Sequence, residues 1–222
     1  MEIRMDLNSA YSLIFQEIQD KFSSIQDRNG RFVHYCTAES AVSIIKNESV
    51  WMRNAVVMND FSEILYGHDC LVAAENKFRD RLKSAINSCH NNLYDEIIDR
   101  FNKKFFLLQS GTYITCFSEH DADEDENGRL SMWRAYGGQN GVALVMNNNV
   151  FMSTTDALGA YTSPVSYLTK EEFVHNFEYF VSVIERNVNE FSSNSREEFS
   201  DMLYLALKVF ALCTKHKGFS EE

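Results

Sequence analysis

HYCTAESAVSIIKNESVWMRNAVVMND runs from His34 to Asp60. Residues Arg31 to Cys36, which lead into it, have strand composition. Thr37 stands where a hydroxyl can satisfy an orphan backbone N–H, which predicts a capped helix over 38–47. Ser49 to Arg53 returns to strand composition, and Asn59-Asp60 reads as a turn into the next helix. A strand, a cap, a short helix and a second strand so close together point to short strands set among helices.

Working outward, the same pattern holds. Leu7, Tyr11, Ile14, Ile18, Phe22 and Ile25 recur at steps of three and four and predict an amphipathic helix over 5–27. Asp27-Arg28-Asn29-Gly30 reads as a turn. Phe61, Leu65, Val72, Phe78, Leu82 and Ile86 mark one long helix; Leu93, Ile97, Phe101 and Phe105 mark another that Gly111 ends. Thr112 to Ser118 is rich in β-formers, residues 119–128 form an acidic loop, and a short helix is expected over 130–136. Strands are expected at Gly141–Met146 and Val165–Leu168. Phe173 to Phe191 reads as one helix, and Leu203, Leu207 and Phe210 mark the last. The expected fold is α+β, a small, mostly antiparallel sheet with several amphipathic helices. We expect a single domain: an N-terminal helix over 1–30, a core over 31–168 and a helical part over 169–222.

Composition narrows the function. A net charge of −11 argues against non-specific nucleic-acid binding, which needs clustered Lys and Arg. Five cysteines without CxxC spacing argue against a disulfide framework or a thiolate zinc site and suit a reducing cytoplasm. No leader is apparent at the N-terminus, and no stretch approaches the roughly 18 apolar residues of a membrane span. Amphipathic helices at both ends could meet a protein partner or a second copy.

Five stretches could carry chemistry. His34 and Tyr35 are strand neighbours, so only one of them faces any given cleft. His34 is either a core histidine bonded to backbone or a ligand contact and proton carrier. Asn59-Asp60 with Glu63 has capping-box spacing; the alternative is a carboxylate that binds a ribose hydroxyl or steadies positive charge. Cys116 in CFSE is a core thiol or one half of a Cys-His pair. Trp133 and Tyr136 share a helix face and either pack in a core or wall a pocket for a flat ring. Asp123, Asp125, Asn127 and Gly128 match half of a calcium loop, but Arg134 stands where its bidentate Glu belongs, so the segment reads as a solvated acidic loop.

Taken in order, HY-x-T at 34–37, VWMR at 50–53, ND-x-x-E at 59–63, CFSE at 116–119, MWRAYG at 132–137 and GVALVM at 141–146 resemble a bacterial family of unknown function. Its members carry HYT, LW, NDPxE, CFSE, LMWxxY and GVxxxF. Phe61 replaces the usual Pro, and Cys36 interrupts HYT. Members go on to an E-W-R strand, whereas this sequence stops at Glu222; the chain is cut there or that segment is lost, and any catalytic group on it with it.

The resemblance implies a component of phage-defence, abortive-infection or toxin loci. More remotely, the first strands are similar to the ADP-ribosyltransferase superfamily, which implies a split sheet and NAD as substrate. On that analogy His34 anchors the ribose and Glu63 is the catalytic carboxylate. Tyr35, Trp133 and Tyr136 stack on the cofactor, and Thr37, Asn59, Asp60 and Ser118 complete the binding set. Two other classes compete: a non-catalytic sensor or partner-binding module, and a metal-dependent nuclease using Asp60, Glu63 and Glu119.

Overall fold

A computed structural model describes residues 9–57, 61–151 and 159–220, with backbone alone for Ser9, Phe61, Ser62 and Glu63. The architecture is α+β, as expected. Contacts gather in two compact units, each built from separate stretches of chain.

The first unit comprises residues 1–19, 55–112 and 163–218 and is mainly helical. It contains α1 (Ser9–Ile14), α4 (Phe61–Cys89), α5 (Leu93–Gly111), α7 (Lys170–Arg186), α8 (Val188–Ser193) and α9 (Arg196–Cys213). The α4 helix packs along α7 and α9. Its apolar stripe, including Leu71, Phe78, Leu82 and Ile86, is buried against Phe177, Ile184, Phe199 and Leu203. Gly67 marks the closest approach: a Cβ there would sit on the carbonyl oxygen of Ala211 and 2.9 Å from that of Thr214. Two capping boxes start the later helices, Thr169 with Glu172 and Ser195 with Glu198.

Two expectations fail in this unit. The single helix through Phe191 breaks at Asn187, which leaves helical geometry and donates its side-chain N–H to Val183 O at 2.7 Å. A strand not expected from the sequence, β7 (Thr214–His216), pairs in parallel with β6 (Ser166–Leu168). Tyr66 on α4 donates its hydroxyl to Leu168 O at 2.8 Å, tying that pair to the helices.

The second unit comprises residues 20–54, 113–162 and 219–222. Its centre is a three-stranded antiparallel sheet in the order β4-β1-β5. These strands are Ser118–His120, Arg31–Thr37 and Gly141–Asn147. The long strand pair runs in unbroken register from Arg31↔Asn147 to Thr37↔Gly141. Before it, α2 (Gln16–Asp27) continues α1 after a turn at Phe15, and Asn29 turns the chain at φ 49°.

After the sheet's central strand comes α3 (Ala38–Asn47), with the expected bounds and the expected cap: Thr37 Oγ1 accepts from Ser40 N at 3.3 Å. The second strand predicted at Ser49–Arg53 is only the two-residue β2, Arg53–Asn54, paired with β3, Tyr113–Ile114. The short helix is α6 (Leu130–Met132), which runs on into a wider π turn over Trp133–Gly137.

Candidate active site on the three-stranded sheet

Alternation along β1 sorts the candidate residues onto two faces. Val33 and Tyr35 point to one side and form a small core with Met132, against which Trp133 packs. Ser118 is in register with Val33 and therefore shares that side. His34 points to the other, in register with Leu144. Hence the sheet brings Tyr35, Ser118 and Trp133 together and sets His34 apart from them.

The Tyr35 side is closed by the acidic loop. Tyr35 is 3% exposed, and its hydroxyl accepts from Arg129 N at 2.8 Å. Its ring meets Trp133 edge-on at 4.8 Å, and Trp133 Nε1 donates to Asn127 O at 2.7 Å. Gly128 passes between them with φ +63°, and a Cβ there would lie 2.7 Å from Tyr35 Oη. No bulkier residue fits that conformation and that gap without strain. The glycine that resembled half a calcium loop therefore serves aromatic packing.

The loop is also more paired than its composition suggested. Arg129 holds Glu124 through Nε and Glu119 O through Nη2 at 2.6 Å. Asp125 accepts from buried His120 Nε2 at 2.9 Å and from Arg31 at 2.8 Å. Glu119 meets Lys21 at 2.7 Å and Arg28 besides. Burial raises the Glu119 carboxyl, but Lys21 and Arg28 pull it below its ordinary range overall. Glu124 behaves alike: burial is outweighed by Arg129 and the Asp121 backbone N–H. For Asp125 the hydrogen bond from His120, then that from Arg31, keeps its carboxyl low. Sequence reasoning missed His120, Arg31 and Arg129, because they and their partners are distributed over two strands, β1 and β4, and the loop. Among the described residues, no group of three or more His, Cys, Asp or Glu side chains is disposed to hold a metal ion.

His34 has a different setting. Its Nδ1 lies 3.1 Å from Cys116 O, and its ring centroid is 5.2 Å from that of Phe117. A carbonyl oxygen only accepts, so Nδ1 carries the hydrogen, and in that tautomer Nε2 is the ring's acceptor. Phe117 in turn packs on Phe151, which also meets Phe32, so an aromatic cluster backs the histidine. Cys116 itself is exposed.

The remaining candidates are dispersed. Thr37 caps α3. Tyr136 is 42% exposed on the π turn. Glu63 lies in the first turn of α4, within the helical unit. Asn59 and Asp60 fall outside the described residues. A shallow depression of about 500 Å³ along α2 is lined by Asp20, Ser23, Ser24, Asp27 and Arg28, not by His34. Its two carboxylates make it a poor seat for a pyrophosphate.

Residues 132–222 match the model of a family described as a protein of unknown function, DUF2971. The match begins at the end of α6 and takes in MWRAYG and GVALVM; His34 and CFSE lie before it. No curated protein and no solved structure gives a match. No helix among the described residues is long and apolar enough to cross a membrane.

Proposed function

We propose that this is a defence- or toxin-type protein with an ADP-ribosyltransferase-like site that takes NAD, and that His34 is its ribose contact. The supporting observation is the posture of His34. With Nδ1–H directed to Cys116 O, the ring offers Nε2 as an acceptor, and no described residue occupies it. A ribose hydroxyl is a donor of the kind that nitrogen takes.

Cleavage of the nicotinamide glycosidic bond passes through an oxocarbenium-like species, which a carboxylate steadies. Glu63 is our candidate for that carboxylate. Tyr136, exposed on its turn, is the candidate stacking ring. Tyr35, Ser118 and Trp133 become the frame that holds β1 in place, Thr37 positions the helix after it, and Asn59 and Asp60 remain ribose-binding candidates.

Calorimetric titration of NAD tests this reading. We expect saturable binding by the wild type and at least a tenfold loss in His34→Ala, while Glu63→Gln keeps binding and loses NAD turnover. A wild-type protein that binds no NAD rejects the reading. A non-catalytic partner-binding module would then take its place, supported by exposed apolar side chains such as Trp51 and Phe106.

A further inference from the structure

The two edges of the three-stranded sheet differ. One edge, β4, has three residues; the other, β5, has seven. Among the described residues β5 is hydrogen-bonded to β1 alone. Four of the seven residues of β1 are buried, whereas none of β5 is, and Val145 is 43% exposed. An open edge of that length presents a row of backbone donors and acceptors ready for another strand.

Natural proteins guard such edges with charge, proline, a bulge or brevity. None of these guards is present on β5. Its sequence, GVALVMN, has no charge and no proline, and its unbroken register with β1 leaves no bulge. The neutrality extends well beyond the strand. From Ala135 to Thr155 there is no Asp, Glu, Lys, Arg or His, in a chain that is 24% charged.

We propose that the outer edge of β5 pairs antiparallel with β5 of a second copy, across a two-fold axis, joining two sheets into one. An isologous contact sets each residue against its own kind. For a chain of net charge −11, most surfaces would place like charges together, and this strip does not. A foreign partner of so acidic a protein would be recruited by opposite charge at the rim, which 135–155 does not offer. Val142, Leu144 and Met146 lie on one face of the strand and would extend as apolar cross-strand pairs. A seven-residue ladder is small beside the roughly 800 Å² per partner of a standard interface, so association is expected in the micromolar range. This inference does not depend on NAD binding.

Sedimentation equilibrium of the whole chain over a concentration series tests it. We expect a mass rising from 25.7 kDa toward twice that value. Amide hydrogen exchange should slow at 141–147 as concentration rises, with no such change at 118–120. Val145→Lys should stay monomeric with an unchanged thermal transition, and Val145→Thr should still dimerise. A wild-type chain that remains a monomer at about 100 μM overturns the proposal, even if its β5 captures a strand of another protein. So does a dimer whose 141–147 amides ignore concentration, or a Val145→Lys variant that dimerises as well as the wild type.

Discussion

The helical unit and the sheet unit are held by different forces. Large apolar side chains fill the first, with Phe177, Phe191 and Phe199 each at most 1% exposed. Among the described residues the sheet unit has a smaller core, a cluster of Val33, Tyr35 and Met132 beside buried side chains such as Ile25 and Phe32, and surrounds it with hydrogen bonds and ion pairs from the acidic loop. Burial of apolar area is insensitive to pH, whereas paired carboxylates are not. One chain thus contains two responses to the same stress, and they can be read separately. Both tryptophans, Trp51 and Trp133, lie in the sheet unit, so their emission reports on it alone. Far-ultraviolet circular dichroism reports chiefly on the helices.

The largest expected effect is in the helical core. Phe177→Ala should cost about 3–5 kcal/mol and lower the dichroism transition. If tryptophan emission moves with it by the same amount, the two units melt as one and the contrast fails. Next comes Gly128→Ala in the sheet unit, with about 1–3 kcal/mol from the positive φ and the overlap with Tyr35 and Trp133. That loss should appear in the emission of Trp133, in a Trp51→Phe background. Tyr35→Phe should cost about 1–2 kcal/mol, because Arg129 N–H loses its acceptor inside the closed face. A melt unchanged by that substitution would mean water replaces the hydroxyl.

The smallest effect separates the units by pH. Glu119, Glu124 and Asp125 are held below their ordinary range in the folded sheet unit. Their contribution is complete above the unfolded carboxylate range and is lost as pH falls through the lowered folded values. On acidification, tryptophan emission should therefore change before helical dichroism does. In the helical unit Glu75, Glu172, Glu185 and Glu198 are lowered as well, Glu172 to about 2 by the Thr169 backbone N–H and Lys217, but there a larger apolar core, which does not titrate, carries the fold. Coincident acid transitions would show that ion pairs matter equally in both units.

What was legible in the sequence follows the range of each interaction. The α3 helix was readable to the residue, since a threonine cap and a 3.6-residue stripe are local signals. The two long helices before Gly111 were readable for the same reason. The pairing of β6 with β7 was not, because Thr214–His216 carries no alternation and forms a strand only beside residues far earlier in the chain. The Ser49–Arg53 strand failed in the opposite way: β-forming residues were present, but β3 offers only Tyr113 and Ile114 for pairing. Within the candidate site, alternation foretold that His34 and Tyr35 would part. It could not foretell that Ser118 and Trp133 would side with Tyr35, because that depends on register between strands.

The interleaving of the two units has a consequence for synthesis. All three strands of the main sheet lie between Arg31 and Asn147. The apolar stripe of α4, complete by Cys89, must await α7 from Lys170 and α9 from Arg196. As the chain leaves the ribosome, the sheet can close early, while α4 emerges with its covering helices still unmade. Nascent chains arrested once residue 162 has cleared the ribosomal exit tunnel should show the native emission of Trp133 and still bind a general chaperone; released full-length chains should keep that emission and no longer bind the chaperone. The most vulnerable interval in this protein's life would then be the time taken to translate its last third, when its longest helix is out with its apolar stripe bare.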